Sequence, residues 1–489
     1  MPRPCTASTI SLANGFCTAN SLPTLLPSAR VRLLSKYTGY KHCHHILHRT
    51  LRKNPPKVVS GSGNWLTLDN GQEIFDATGG AAVACLGHGD QRVKDAISRQ
   101  MDQVSFAYSL FFSTANGETL GNELISSTNG EMAKALIMSS GSEAAEAAMK
   151  LARQYFLECS PPQPNRTRFI AREQSYHGTT LGSLSLGGHV ERRAAYEPMM
   201  LGNISKVSSC NAYRGMLKGE TTEDYVTRLA LELDEEFQRV GPDSVCAFVS
   251  EPVVGAALGC VPAVPGYFKA MKAVCDKYGA LLVFDEVMSG MGRTGTIHAW
   301  QQEDVVPDIQ TIGKGLGAGF VPIAGVLMNQ RIVDALDKGT GSFSHGQTYQ
   351  GHPVACAAAA EVQRIVREDK LMENARSMGD YLSDSLKERL GNHPHVGDIR
   401  GRGLFWGVEF VRDKSTKTPF DPKDGVANGI HERGMQAEYS ITILPGTGTV
   451  DGRSGDHILL APAYNVTKAD IDLVVDKTAR AVEDFFASR

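Results

Sequence analysis

Lys314 is the only reactive side chain in DIQTIGKGLGAGF (308–320), where glycines stand at 313, 315, 317 and 319. A glycine run at the end of an apolar segment costs conformational entropy. The pattern therefore implies that something must come close to the backbone beside an amine. A lysine amine holds its proton at neutral pH, with an ordinary pKa of about 10.4. In a desolvated cleft it becomes a nucleophile that condenses with carbonyls. Two carboxylates occupy comparable positions: Glu251 closes VCAFVSE (245–251), and Asp285 directly follows LLVF in ALLVFDE (280–286). A carboxylate at the end of a buried strand needs a cationic or hydrogen-bonded partner. Singly, each of the three reads equally well as a member of a buried ion pair; together they suggest one polar cleft.

Two further segments extend the set. SSGSEAAEAAMKLARQYFLE (139–158) opens with small polar residues, Gly141 and Ser142 among them. The free N–H groups and dipole of a helix start attract phosphate, although a serine there also serves simply as an N-cap. QSYHGTT (174–180) places Tyr176 and His177 after a strand and before Gly178. An aromatic ring there stacks on a planar ligand or packs as an ordinary core tyrosine. A phosphate cradle, a stacking ring, a buried carboxylate and an imine-forming lysine together match one cofactor, pyridoxal 5′-phosphate.

These groups must be held by regular elements. Short strands joined by a turn at Asp69-Asn70-Gly71 are expected over 58–84, and helices near 91–103 and 116–127. The helix over 139–158 is the clearest in the chain, and prolines in CSPPQPNRT (159–167) end it in a surface loop. Apolar runs at 167–172, 245–251, 280–286, 308–314 and 323–328 read as strands, with a helix at 266–278 between two of them. Strands that alternate with helices, and are apolar without strict alternation, imply a mostly parallel sheet covered on both faces. In such sheets ligands bind beyond the carboxyl ends of the strands. LFWGVEFV (404–411) and a final helix near 467–486 look like part of a separate α+β lobe. The expected division is a flexible extension (1–45), the first part of a small domain (46–100), a large cofactor-binding domain (101–370) and a C-terminal small domain (371–489).

The 489-residue chain is 42% apolar and 21% charged, with net charge −3, which gives no reason to expect nucleic acid or a membrane surface as partner. No apolar run approaches the roughly eighteen residues of a spanning helix. Ten scattered cysteines without a C-x-x-C pair read as reduced thiols. His42, Cys43, His44, His45 and His48 lack a second ligand cluster, so no metal is expected. Residues 1–68 contain no Asp or Glu. That lead fits a mitochondrial transit segment or an extension with no address, and a cytoplasmic location is the primary expectation. IGKGLGAG lacks the spacing of either phosphate-binding glycine motif, which sets a nucleotide-binding protein aside.

In their order along residues 46–485, several motifs resemble the class III (subgroup II, fold type I) aminotransferases. They are DATGGAAVACLGHG (76–89), SSGSEAAEAAMKLAR (139–153), YHGTTLGSLSL (176–186), FDEVMSGMGRTG (284–295), TIGKGLGAGFVPIAGVL (311–327) and HGQTYQGHPVACAA (345–358). The resemblance implies an α/β fold: a large domain with a mostly parallel sheet of seven-stranded type, plus a smaller α+β domain built from both chain ends. It implies that Lys314 carries the cofactor as an internal aldimine and later shuttles the proton, while Asp285 bonds the pyridine nitrogen. Tyr176 would stack on one ring face and Val287 press the other; Gly141 and Ser142 would bind phosphate, and His177 and Glu251 would belong to the cofactor-side polar network. Thr348 would reach the phosphate bound to the partner subunit, which makes a homodimer the expected unit. Arg400, in DIRGRGLFWG, sits where the family often holds a substrate carboxylate, with Arg402 the competing candidate. Tyr108, with Phe111 and Phe112, either lines the entrance or is a packing aromatic.

Ornithine-type members carry a glutamate where this chain has Ala256 and a glutamine where it has Met288. The pattern is closer to the ω-amino acid or amine:pyruvate branch. The implied reaction moves an amino group from an amine or an ω- or α-amino acid to a keto acid, pyruvate or 2-oxoglutarate. The alternative is another reaction of the same cofactor: decarboxylation, racemisation or amino migration.

Overall fold

Val, Leu, Ile and Phe dominate the strands at the centre of the structure, a computed structural model that describes residues 45–489. Residues 45–57 carry no helix or strand. Residues 58–489 form one unit. Its first sheet is antiparallel, with β1 (Val58–Ser62), β2 (Trp65–Leu68) and β3 (Glu73–Phe75). The turn between β2 and β3 holds Asp69 and Asn70, and Gly71 takes a left-handed φ of 84° there.

The main sheet has seven strands: β4 (Lys134–Met138), β5 (Arg168–Arg172), β6 (Ile204–Val207), β7 (Val245–Ser250), β8 (Leu281–Asp285), β9 (Ile309–Ile312) and β10 (Ala324–Met328). Their spatial order is β4-β10-β9-β8-β7-β5-β6. β10 runs antiparallel to both its neighbours, β4 and β9, and the other four adjacent pairs are parallel. The sheet is buried on both faces, which explains the unbroken apolar runs. Along β8, Leu281 and Val283 pack with α1 (Gly141–Glu158) on one face. Leu282 and Phe284 pack on the other face with α2 (Thr222–Val240) and α3 (Tyr267–Lys277).

A second antiparallel sheet follows, β11 (Val396–Arg402), β12 (Phe405–Phe410), β13 (Leu444–Thr447) and β14 (Asp456–Leu460), in the order β11-β12-β14-β13. It shares a core with α4 (Leu371–Leu390) and α5 (Lys468–Ala487), and Phe75 and Val93 from the N-terminal part join the same cluster. No helix among the described residues is long and apolar enough to cross a membrane, and no group of His, Cys, Asp and Glu among them is arranged to hold a metal. His42, Cys43 and His44 lie outside the described residues, as does most of the acid-free lead.

Candidate active site

β7, β8 and β9 are adjacent and parallel, so their carboxyl ends lie side by side. That register brings Glu251, just past β7, Asp285, the last residue of β8, and Lys314, two residues past β9, to one cavity. β5 is parallel to β7 on the far side, and the segment after it delivers Tyr176, His177 and Gly178 to the same wall. The start of α1 supplies Gly141 and Ser142, and Val287 and Met288 complete the lining.

Asp285 is held by three donors. Its Oδ1 accepts from the Val287 N–H (3.0 Å) and the Thr311 hydroxyl (3.1 Å), and its Oδ2 lies 2.7 Å from His177 Nδ1. Thr311 stands directly opposite Asp285 across the β8–β9 pair. Thr311 is a site residue with no marker in the sequence beyond that register. Glu251 accepts from the Tyr176 N–H (3.0 Å) and the Gly255 N–H (3.1 Å). Burial pushes its carboxyl above the ordinary range, against the opposing pull of His177. Lys314 is buried, and desolvation lowers its pKa from 10.5 while Asp285 and Glu251 act the other way. Its backbone is left-handed, φ 46°, a costly conformation for a non-glycine residue that concentrates at functional sites.

The glycines around Lys314 answer to neighbouring side chains. A Cβ at Gly315 would lie 3.0 Å from the Tyr464 hydroxyl, one at Gly317 2.6 Å from Ile323 Cγ2, and one at Gly313 3.3 Å from Val287 Cγ1. Gly319, at φ 81°, is the one of the four with a left-handed backbone. The serines of the α1 start divide their work. Ser140 is the N-cap and accepts from the Glu143 N–H, and Ser139 accepts from Gln347 while its N–H donates to Glu143. Ser142 lines the cavity, its hydroxyl oxygen accepting from the Thr179 N–H at 3.0 Å.

Residues 49–482 match the family model for aminotransferase class III. The chain belongs to the class III aminotransferases. An "Aminotransferase" of Gibberella zeae is 56% identical over 458 residues, covering 93% of this chain and 89% of the relative. A solved (S)-enantioselective omega-transaminase from Thermomicrobium roseum superposes with a TM-score of 0.84 at 33% identity, covering 93% of this chain and 98% of that one. A solved amine transaminase from an uncultivated Pseudomonas species, in its PLP-bound form, gives a TM-score of 0.83 at 30% identity, with 92% and 98% covered. Membership makes this chain a fold type I enzyme of amino-group transfer that depends on pyridoxal 5′-phosphate.

The residues present fit that cofactor. Small residues leave a cradle at the helix start: a Cβ at Gly178 would lie 2.6 Å from Ser142 Oγ, and one at Gly141 2.8 Å from Val287 Cγ1. An amine, an anchored carboxylate and a helix N-terminus suit an aldehyde, a ring nitrogen and a phosphate respectively.

Three expected site residues do not line this cavity. Arg400, expected to hold a substrate carboxylate, is already committed. Its guanidinium pairs with Glu409 (2.6 Å) and Asp398 (2.9 Å) and donates to the carbonyls of Gly259 (3.0 Å) and Leu258. In this structure Arg400 braces the 252–262 loop, whose Leu258 and Val261 pack with Tyr176. Arg402, the competing candidate, pairs with Glu303 and reaches the Ala263 carbonyl. Tyr108 is 39% exposed and meets Phe111 edge-on at 5.3 Å, and Thr348 is exposed.

Proposed function

We propose that this enzyme transfers the amino group of an amine or ω-amino acid to a small keto acid, with Lys314 as the residue that carries the cofactor. The observation that supports this reading is the convergence of Lys314, Asp285 and Glu251 at the ends of three adjacent parallel strands, inside one cavity.

Gly141 and Ser142 would take the phosphate at the α1 N-terminus, Tyr176 one face of the ring and Val287 the other. Asp285 would hold the ring nitrogen, its geometry fixed by Thr311, His177 and the Val287 N–H. His177 and Glu251 stand behind as a hydrogen-bonded wall. When bound, pyridoxal phosphate supplies the aldehyde and the electron sink that make the carbon–hydrogen bond next to the amine acidic. Lys314 moves the proton. Its lowered pKa leaves a larger fraction of free amine at neutral pH, as a base requires. Thr348 would complete the phosphate site of a partner subunit, so the working unit is a homodimer.

Borohydride reduction of the loaded enzyme, followed by peptide mapping, should place the reduced adduct on Lys314. A label elsewhere overturns the assignment. Product analysis with and without pyruvate or 2-oxoglutarate separates transfer, which consumes keto acid stoichiometrically, from decarboxylation, racemisation or amino migration, which do not.

A further inference from the structure

Beside the segment that carries Lys314 lies a second pocket, of about 230 Å³, that shares no residue with the cavity described above. Helices Ala115–Ser126 and Pro353–Glu368 supply most of its walls, and Leu124, Ile297, Val366 and Met372 make them largely apolar. A molecule of liquid water takes about 30 Å³, so the space suits a small ligand. The pocket lies at the C-terminal end of helix Pro353–Glu368, whereas the contact of His352 with Phe106, 6.3 Å between ring centroids, is at its N-cap.

Two buried oxygens on residues of this pocket have no hydrogen-bond partner among the described residues. The first is Gln363 Oε1. Gln363 is 6% exposed, and its Nε2 spends both protons on the carbonyls of Gly315 (3.1 Å) and Leu316 (3.0 Å), the two residues after Lys314. Those two acceptors fix which end of the amide is nitrogen. The second is Glu123 Oε2. The other oxygen of that carboxylate accepts from Arg367 Nη1 and Nη2 at 3.2 Å each, at the rim, where Arg367 is 57% exposed. A buried acceptor without a donor is costly, so two on one pocket call for a molecule that donates. An ammonium has three donors and no acceptor, whereas a carboxylate or phosphate would only add acceptors.

We propose that this pocket is a regulatory site for a small primary amine, whose ammonium donates to Gln363 Oε1 and Glu123 Oε2 and whose apolar body packs on Leu124, Ile297, Val366 and Met372. A donor on Oε1 polarises the amide and strengthens the two bonds that its nitrogen makes. Those bonds hold the turn in which Lys314 takes its left-handed φ of 46°, and whose Gly317 and Ala318 N–H groups donate to the Lys314 carbonyl. An occupied pocket thus tightens the Lys314 turn. The site stands without the amino-transfer reading above; its effect on Lys314 as the carrier of the cofactor rests on that reading.

The probes are 3-methylbutylamine, leucine, which adds a carboxylate to the same skeleton, and 4-methylpentanoate, which is leucine without its ammonium. Each is titrated calorimetrically into pyridoxal-phosphate-loaded enzyme reduced with borohydride, in which no amine exchanges with the cofactor. 3-Methylbutylamine or leucine should bind and 4-methylpentanoate should not. Tighter binding of leucine identifies an amino acid whose carboxylate meets Arg367, and the reverse order a free amine. The Kd should rise about tenfold or more in Glu123→Gln and in Gln363→Leu, while Glu123→Gln leaves the basal turnover of unreduced enzyme unchanged. Saturating ligand should slow hydrogen exchange in the 313–320 segment of wild type, and not in Glu123→Gln at the same concentration. Binding of 4-methylpentanoate as tight as that of the amine, no binding of either amine, or a Kd that Glu123→Gln leaves unchanged overturns the site. Binding without protection of 313–320 overturns the link to Lys314. If reduction fixes the cofactor elsewhere than on Lys314, the proposed function falls, while Glu123-dependent binding still upholds the site.

Discussion

At Lys314 burial and charge act in opposite directions, and burial wins. The ammonium loses water, which lowers its pKa from 10.5, while Asp285 and Glu251 hold part of it back. In the cofactor-free protein the unfolded chain then binds a proton that the folded chain has released, over a window that ends at the unfolded value. The stability linked to this group is present above 10.5 and is lost as pH falls through the depressed folded value. The melting temperature of cofactor-free enzyme should accordingly gain a rising component on the alkaline side, and Lys314→Met, which removes the titrating amine at similar volume, should remove it. A pH series of melting curves for the two proteins reads this directly. In the loaded enzyme, Lys314→Ala should cut amino transfer by at least about a thousandfold, the scale of a lost general base. Stopped-flow absorbance of a single half-reaction checks it.

Glu286 sits beside Asp285 in sequence, and its shift runs opposite to that of Lys314. It accepts from the N–H groups of Ala299 and Trp300, yet burial pushes its carboxyl from 4.5 up to about 8. With a folded value above the unfolded one, its contribution is full below pH 4.5 and fades as pH rises through about 8. Glu286→Gln keeps a neutral acceptor. The variant should lose this decline of stability across pH 4.5–8, an effect on the order of a few kcal/mol, measured by urea denaturation at several pH values.

Among the elements, the junction of α1 with the loop after β8 is a tight point of the cavity wall. A methyl at position 141 would press Val287 Cγ1 from 2.8 Å, and Val287 also lines the cavity. Gly141→Ala should therefore weaken pyridoxal phosphate binding about tenfold or more, the cost of overpacking by one methyl. Absorbance titration of the cofactor-free variant measures it, and a near-wild-type melting temperature in the cofactor-free state localises the damage to the site. The strand ends that meet at the cavity are legible because an apolar run halted by Glu251, Asp285 or Lys314 has few readings once the sheet is parallel. β4 and β6 carry no such mark, since KALIM and ISKV are short and begin or break with polar residues. The reversed direction of β10 was equally hidden, because an apolar run carries no arrow. The contacts of Arg400 are hidden in the sequence for a related reason. Its partner Glu409 lies on the next strand and its carbonyl acceptors on a distant loop, so only tertiary packing shows that the guanidinium is spent.

For the whole molecule, the unexplained surface is apolar. Leu110, Phe111 and Phe112 are 72%, 70% and 64% exposed, and Phe106 joins their segment to Tyr349 at 6.0 Å between ring centroids. A contiguous aromatic patch of this kind marks an interface. Thr348, beside Tyr349, is exposed and outside its own subunit's cavity. Both facts are met if two copies join through this patch and each lends Thr348 to the other. Complementation tests the exchange. Lys314→Ala lacks the amine, and Thr348→Asp sets a carboxylate against the bound phosphate, so each homodimer should be inactive. In a mixed dimer one site collects both defects and the other none, because Lys314 comes from one subunit and Thr348 from its partner. Equal amounts dissociated and reassociated at random should then recover about a quarter of wild-type activity. If Thr348 serves its own subunit's site, every site in the mixture carries one defect, and nothing is recovered.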